Sequence, residues 1–386
     1  MSVANLKGRT VHISGSNSLS NDIAAQDEIA FAREFVRDLV IELIRQGCSF
    51  IVPIDAEPLR PDGATICYDW LVLETVAQNI ALRPSGAADP LIVAVQHHKS
   101  EDQIPEQFAA LWDGLKGSAV VSIENASHWN MASKRMELQA VRGDILITLG
   151  GCEGVLFLAN LYSQSGKPVI PLNFKLSPEG KGSRRLFSRA MERASSDEFF
   201  RPTEQTAHHW INLLNFGTRH GTEHRVRQVV ELLTALQRPA AFAVRLLNPT
   251  HPNFPEVEDF FEVVVKYVIE DILGYRLVTI NSGHTNEYPR VDEEIFAHLH
   301  QSSIVIADIT AGRPNCFIEL GYALGRALPT IMTGREGSEN PFDTNSISGH
   351  FWNPALPAAD RRSQFLQHIQ ANINRPALVR PTVLIQ

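Results

Sequence analysis

Short apolar runs alternate with longer segments of helical periodicity along the chain. In the first part of the chain we predict strands at 9–13, 49–54, 90–96, 118–123, 144–149 and 168–172. The first helix is predicted at 24–46, with Gly47 as its stop signal. Short strands rich in Val, Ile and Leu, with helices between them, are typical of a largely parallel sheet that helices cover on both faces.

The same alternation begins again near residue 240, after a segment of different character. That segment starts as a predicted loop, SPEGKGSRR at 177–185, and continues as helices rich in His, Arg and Gln at 204–236. Beyond it we predict strands at 240–247, 275–280, 303–309 and 329–333, and helices at 255–273, 291–301 and 315–327. The pattern therefore predicts two α/β domains, at 1–237 and 238–386, each a Rossmann-like parallel sheet with helices on both faces.

Composition narrows the class of protein. A chain of 386 residues with 44% hydrophobic and 20% charged residues can build two cores and is not disordered. Its net charge is −8, so the chain has no excess of positive charge to attract a phosphate backbone. We therefore expect neither DNA nor RNA as a partner. The cysteines, Cys48, Cys67, Cys152 and Cys316, show no metal-ligand spacing. Without a signal peptide or a membrane-length apolar run, the chain is expected to be cytoplasmic, with no metal and no membrane partner.

One carboxylate stands alone in an apolar helix within the segment 304–328. A predicted strand ends at Asp308, a loop with Gly and Pro follows, and Asn315 is placed to cap the next helix. Glu319 is the only charged residue between Asn315 and Gly325. An unpaired buried carboxylate is costly, so both acids either face a pocket or have structural partners. Their position at the carboxyl end of a strand favours a catalytic site.

The pattern I-A-D-I-T-x-x-x-P-N-x-x-x-E-L-G-Y-A-L resembles the core motif of the nucleoside 2-deoxyribosyltransferase-like and TIR-like superfamily. The likeness extends over about 240–350 and includes NPFDTNSIS at 340–348. It implies cleavage or transfer of the N-glycosidic bond of nucleosides, nucleotides or NAD+. Glu319 matches the catalytic glutamate, Asp308 the acid that contacts the sugar or base, and Asp343 a pocket residue. The helix begins Pro-Asn-Cys-Phe-Ile-Glu, without the hydroxyl residue and further acids of the transferases, which favours the TIR-like branch.

A single carboxylate suffices for this chemistry when NAD+ is the substrate. Cleavage builds positive charge on the anomeric carbon, which a carboxylate can stabilise or attack. Nicotinamide leaves as a neutral molecule, so neither a general acid nor a cofactor is required. Arginines near the same edge are candidates for holding a phosphate, although each can equally be solvated or structural. The substrate-binding candidates are Arg245, Arg290, Arg313, Asn315, Tyr322 and Asp343.

A glycine-rich turn after the strand at 144–149 is the main feature of the first half. Glycines there let backbone N–H groups and a helix N-terminus approach a phosphate, although tight strand-to-helix turns also use glycine for structural reasons. The wider string at 130–172 resembles the SLOG superfamily, the relatives of LOG-type cytokinin-activating phosphoribohydrolases and of Smf/DprA proteins, over roughly 9–175. Enzymes of that group carry PGGxGTxxE with a catalytic final glutamate, where this chain has Val155 for the Thr and Leu158 for the Glu.

The resemblance therefore implies a nucleotide sensor that lacks the enzyme's carboxylate. Its effector-binding candidates are Ser14, Gly15, Ser16, Arg135, Gly150, Gly151, Glu153 and Gly154. Together the two halves predict an effector of the bacterial anti-phage type: a nucleotide-derived messenger binds the first domain, homo-oligomers form, and Glu319 releases nicotinamide from NAD+. Two alternatives stay open. One is an N-hydrolase or deoxyribosyltransferase acting on free nucleotides or deoxynucleotides, and the other is a non-enzymatic nucleotide-binding assembly protein.

Overall fold

The computed structural model describes residues 6–17, 23–55, 67–85, 90–97, 103–126, 131–216, 220–280, 291–326, 328–338 and 347–372. The chain divides into two compact units, Met1–Gln237 and Arg238–Ile385. Each unit is a parallel sheet with helices on both faces, which confirms the predicted α/β class.

The first unit is built on a six-stranded sheet. Its strands are β1 (Thr10–Ser16), β2 (Ser49–Ile54), β3 (Ile92–Gln96), β4 (Val121–Asn125), β5 (Ile145–Gly150) and β6 (Val169–Leu172). They lie in the order β4-β3-β2-β1-β5-β6. The chain adds strands on one side of β1 as far as β4 and then returns to its other side. The boundary between β1 and β5 is therefore the topological switch point, where ligands of such sheets bind.

Helices connect these strands within the described part of the chain. They are α1 (Ile23–Arg45), α2 (Asp69–Asn79), α3 (Glu106–Leu115), α4 (Met131–Arg142), α5 (Glu153–Gln164), α6 (Gly182–Ala190), α7 (Ala207–Leu213) and α8 (Thr222–Ala235). Shorter 3₁₀ turns occupy Ile80–Leu82 and Ser196–Glu198. Gly47 has a φ of 81°, the left-handed conformation that ends helices at glycine, so the predicted stop of α1 is confirmed.

The second unit is built on a five-stranded sheet in the order β11-β10-β9-β7-β8. Its strands are β7 (Ala240–Val244), β8 (Arg276–Thr279), β9 (Ile304–Asp308), β10 (Thr330–Arg335) and β11 (Gly349–Trp352). Its helices are α9 (Phe254–Asp259), α10 (Val291–Gln301), α11 (Pro314–Gly325) and α12 (Ala358–Asn372), and α9 continues as π-helical turns at Phe260–Val265 and Tyr267–Ile272. Here the chain order reverses between β7 and β9, which is the second switch point.

Alternate side chains of the second sheet enter two hydrophobic clusters, one on each face. The α9 face contains Ala241, Ala243, Ile304 and Ile306, packed with Phe260, Phe261, Trp352 and Phe365. The α11 face contains Phe242, Val244, Val305 and Ala307, packed with Leu299, Cys316, Leu320 and Ala323. Because side chains alternate along a strand, these two sets also fix the face on which each residue at the carboxyl edge lies.

Several sequence predictions differ from the structure. Ser14, Gly15 and Ser16 lie inside β1 and not after it, because they pair with Thr148, Leu149 and Gly150 of β5. Helix α6 begins at Gly182, inside the segment that was expected to be a loop. The predicted helix at 255–273 is present, but its hydrogen bonding changes from α-helical to π-helical at Phe260.

Candidate functional site

The switch point of the second sheet brings two predicted site residues to one edge. Asp308 is the last residue of β9, and Arg245 follows the last residue of β7. Val244 pairs with Ala307, so the two strands end side by side. Both charged residues therefore stand at the carboxyl edge, as the sequence pattern predicts.

Asp308 is completely buried, and its carboxylate accepts three hydrogen bonds. The Thr333 hydroxyl and the Trp352 indole N–H donate to Oδ2 at 2.9 and 3.0 Å. The Thr310 backbone N–H donates to Oδ1 at 3.0 Å. Burial raises the pKa of Asp308, and these hydrogen bonds oppose that rise because they favour the charged form. The bonds tie the ends of β9, β10 and β11 together, which is the geometry of a positioning residue; direct contact of Asp308 with a substrate stays a prediction.

The loop between β9 and α11 is held in a fixed shape. Besides the bond from its backbone to Asp308, Thr310 accepts a hydrogen bond through its hydroxyl from the Arg335 backbone N–H at 2.9 Å. Ala311 and Gly312 follow with φ values of 73° and 58°. A left-handed conformation at alanine is unfavourable, and such strain is typical of turns that must place a following element accurately.

Helix α11 begins one residue earlier than the sequence suggested. Arg313 is the N-cap and Pro314 occupies the first turn, where its missing N–H and fixed φ cost nothing. The expectation that Asn315 caps this helix is therefore wrong: Asn315 is already inside the helix, and its side chain is exposed. Arg313 is half-buried at the helix start.

Glu319 lies on α11 and is half-buried. Among the residues that the structure describes, no hydrogen bond or ion pair joins its carboxylate to another side chain or to the backbone. Burial raises the pKa of Glu319 to about 7. The Cys316 thiol, one turn earlier, has a pKa raised to about 12 by burial and by the charge of Glu319. A carboxylate that is partly desolvated and not neutralised within the described chain is a candidate for functional chemistry.

The structure does not bring the side chains of Asp308 and Glu319 together. Asp308 continues the alternation of Ile304 and Ile306 and bonds to Trp352, so it lies on the α9 face. Helix α11, which carries Glu319, packs on the opposite face. The two acids share the carboxyl edge but belong to different faces of the sheet, and neither affects the pKa of the other, so they do not form a close carboxylate pair.

The other predicted substrate-binding residues are placed as follows. Arg245 is 8% exposed and lies over the Phe261 ring on the α9 face, 5.6 Å from guanidinium carbon to ring centroid. Tyr322 is half-buried and packs edge-to-face on Phe296 of α10 at 5.0 Å. Asp343 and Arg290 lie outside the described residues.

The switch point of the first sheet gathers most of the predicted effector-binding residues. Ser14 and Ser16 are half-buried and follow His12 in alternation, and His12 Nδ1 lies 3.2 Å from the Tyr162 hydroxyl of α5. The two serines therefore lie on the same face of the sheet as α5. Helix α5 begins at Glu153 immediately after the Gly150-Gly151 turn, so its N-terminus stands beside them.

The glycines of this crevice have clear packing roles. A Cβ at Gly15 would lie 1.8 Å from the Leu149 carbonyl oxygen, and one at Gly150 would lie 2.3 Å from that of Ser16. The Gly151 N–H donates to the Ser16 carbonyl at 2.7 Å, so it is not free to bind a phosphate in this conformation. These observations favour the structural interpretation of the turn, while the N-terminus of α5 remains the part that a ligand could approach.

The residue that replaces the family's glutamate is part of the core. Leu158 is 2% exposed, and Val155, at the position of the threonine, is 7% exposed. Glu153 is exposed at the first position of α5 and Gly154 follows it, also exposed. The Glu153 carboxylate interacts favourably with the helix dipole, as acids in a first helical turn do. It does not occupy the position of the family's catalytic glutamate.

Arg135, a predicted effector contact, forms an ion pair with Asp55 at the end of β2. Asp69, at the start of α2, was not identified from the sequence. Burial and the charge of Asp55 raise the pKa of Asp69 to about 7, and Oδ1 of Asp69 is buried without a hydrogen bond to the described residues. The sequence singled out only Arg135 of this trio, because its members come from three separate elements.

A cavity of about 160 Å³ lies beside α2 in the first unit. It is lined by Arg33, Cys67, Trp70, Leu71, Glu74, Gln107 and Phe108. Its aromatic wall is formed by Trp70 and Phe108, whose rings stack at 4.7 Å. Its volume fits one ring system and not a whole nucleotide, since pockets for drug-sized ligands start at about 300 Å³.

The described ranges show neither a metal-ligand cluster nor a helix of membrane-spanning character. No group of three or more His, Cys, Asp or Glu residues in them is arranged to hold a metal ion. None of the helices found there combines the length and apolarity that crossing a bilayer demands.

The fold and the carboxyl edges of the two sheets define a two-unit α/β protein, with a candidate ligand site at the switch point of each sheet. Residues 6–233 match the family model described as "ATP nucleosidase Cap17-like, N-terminal". The match covers more than half of the chain, so this protein belongs to the Cap17-like family through its first unit. Glu319 and the second sheet lie outside the matched residues.

Individual relatives are distant. Two curated proteins named ATP nucleosidase Cap17, one from Escherichia coli strain KTE188 and one from Escherichia coli, are 21% identical over 192 residues. The alignment covers 48% of this chain and 36% of each relative, so the chain spans about a third of their length. The X-ray structure of TM1055 aligns over 47% of this chain and 81% of that one, with 17% identity and a TM-score of 0.27. That score is too low to support an inference.

Proposed function

We propose that the second unit cleaves the N-glycosidic bond of a nucleotide, with Glu319 as the reacting carboxylate. The observation that carries this proposal is the state of Glu319: half-buried, with a pKa raised to about 7, and without an ion pair among the described residues. The same observation weakens the non-enzymatic alternative, which would be favoured by a Glu319 locked in an internal salt bridge.

The reaction balances with water as the only co-reactant. The bond between C1′ and the base nitrogen breaks, and its electron pair leaves with the base. Positive charge develops at C1′, where the Glu319 carboxylate stabilises it. Water then adds to C1′ and gives up one proton. With NAD+ the leaving nicotinamide is neutral, and the proton from water goes to solvent.

ATP is the second candidate substrate, because the curated relatives are named ATP nucleosidases. Adenine leaves most readily when it is protonated, so this substrate needs a proton donor that NAD+ does not. A carboxyl group with a pKa near 7 exists in both protonation states at neutral pH. Glu319 therefore has the acidity for either substrate.

The first unit is proposed to be the sensor in an anti-phage effector. Two observations support this role: its sheet places Ser14, Ser16 and the N-terminus of α5 at one switch point, and Leu158 is buried where the related enzymes carry a catalytic glutamate. In this proposal a nucleotide messenger bound there, in a homo-oligomer, raises the activity of the second unit.

The test is base release from NAD+ and from ATP, measured by chromatography on the full chain with and without a panel of candidate nucleotide messengers. Glu319→Gln is expected to lower release by about 100-fold or more, the usual cost of losing a group that stabilises transition-state charge. The matched control is Glu258→Gln, since Glu258 is an exposed glutamate on α9. Equal release by wild type and Glu319→Gln would overturn the assignment.

The ratio of nicotinamide to adenine released decides between the two substrates. Release that occurs only when a messenger is present supports the sensor role of the first unit. Full release without any addition argues against it.

A further inference from the structure

Arg245 is a buried cation without a partner in the described part of the chain. Its side chain belongs to a residue that is only 8% exposed, and Nε and Nη1 are fully buried. None of the described residues hydrogen-bonds to these atoms or forms an ion pair with the guanidinium. The Phe261 ring supplies one attractive contact at 5.6 Å, which offsets only part of the lost hydration.

The carboxylates on the same face have other partners. Asp308 accepts its three hydrogen bonds from Trp352, Thr333 and Thr310. Glu256 pairs with Arg335, and Asp259 pairs with Arg361 at 2.8 Å. Glu270, also half-buried, accepts a hydrogen bond from the Leu277 backbone N–H at 3.1 Å. Among the described residues, no ion pair joins Arg245 to Asp308, Glu270 or another acid of this face.

Chemistry limits what can complete this site. A guanidinium does not lose its proton in proteins, so the compensating group must be an anion and not a change of protonation state. Planar N–H donors match the oxygens of a phosphate, which can accept two parallel hydrogen bonds. Arg245 also stands at the switch point of the sheet, the edge at which sheets of this kind bind their ligands.

We infer that Arg245 binds a phosphate group of the substrate, so that the second unit acts on phosphorylated nucleosides or dinucleotides and not on free nucleosides. This inference rests on the proposed function for its substrate, but the anion site itself does not. Glu319 on the α11 face and Arg245 on the α9 face would then hold the sugar end and the phosphate end of one ligand across the carboxyl edge.

Binding is tested first with inorganic pyrophosphate and thermal denaturation of the full chain. Millimolar pyrophosphate is expected to raise the Tm of the wild type. It should do so equally in Arg276→Gln, which removes an exposed arginine at the opposite end of the sheet. The rise should be absent in Arg245→Gln. A rise that persists in Arg245→Gln, or no rise in the wild type, would refute the anion site.

If Arg245→Gln does not fold, Arg245→Lys serves instead, because it keeps the charge and loses the planar fork. A reduced rise with the lysine variant supports the inference, and a full rise overturns it.

Kinetics then tests the substrate class with matched pairs: NAD+ against nicotinamide riboside, and ATP against adenosine. Arg245→Gln is expected to raise KM for the phosphorylated member by about 10–100-fold, the range for one charge-assisted contact. Values for the nucleosides should not change. Equal effects on both members would overturn the inference. If no substrate loses its base, the proposed function fails, while the pyrophosphate result still decides whether Arg245 is an anion site.

Discussion

Glu319 is the residue on which the functional interpretation depends, and its acidity is measurable. Burial raises its pKa to about 7, so the carboxylate is largely neutral at pH 6 and largely charged at pH 8. When the charged form stabilises C1′, base release from NAD+ should rise with pH through about 7. A rate that instead falls through this range would show that the protonated form is required, as expected of an acid that protonates adenine.

The same pKa predicts an effect on stability. A carboxyl group whose pKa rises from 4.5 to about 7 on folding favours the native state less as pH increases, and the loss is complete above pH 7. Glu319→Gln removes that loss. We expect the variant to be more stable than wild type at pH 8 by about 1–3 kcal/mol, after allowance for solvent screening, and equal to it at pH 4. Urea unfolding at the two pH values measures the difference. Lower stability of the variant at pH 8 would indicate a structural partner for Glu319.

Strands β1 and β5 approach each other so closely at Gly15 that no side chain fits there. A methyl group at Gly15 would meet the Leu149 carbonyl oxygen at 1.8 Å, and backbone atoms cannot move aside cheaply. Gly15→Ala should therefore cost about 3 kcal/mol or more, as severe core strain does. Gly114→Ala in α3 is the control, because no atom lies within 4 Å of its added methyl group. Chemical denaturation compares the two. Similar stabilities would mean that the β1–β5 contact is looser than described.

The strands show which elements the sequence pattern predicts and which it misses. The apolar runs at 144–149 and 303–309 predicted β5 and β9 within one residue at each end. Strand order is set by pairing between distant segments, so the two switch points follow only from the structure. The pattern missed β11, which has four residues and too few apolar positions to show a period.

At the candidate site, the sequence did not predict on which face of the sheet each residue lies. Asp308 and Glu319 are eleven residues apart, and the sequence placed both at one edge. The strained turn at Ala311 and Gly312 leads the chain from β9 to a helix on the opposite face, and no residue type announces that change. The unpaired state of Arg245 was equally invisible, since it depends on which acids pair with Arg335 and Arg361.

The two units have separate hydrophobic cores, so we expect each unit to unfold in its own transition. Among the described residues, the buried cluster of the first unit contains none from the second, whose clusters begin at Ala241. Calorimetry of the full chain should therefore resolve two transitions. Gly15→Ala should lower one of them, and Asp308→Ala, which removes the acceptor of three buried hydrogen bonds, should lower the other by several degrees. A single transition that both variants shift equally would show that the units unfold as one.

Trp352 gives the second unit its own optical signal. It is the only tryptophan after residue 237, and its indole donates to Asp308 at 3.0 Å while stacking on Phe260 at 4.7 Å. An indole held between a carboxylate and an aromatic ring has an emission that changes when either neighbour moves. Intrinsic fluorescence of a variant that lacks the other tryptophans would therefore report on the carboxyl edge of the second sheet as nucleotides are added, without any attached dye.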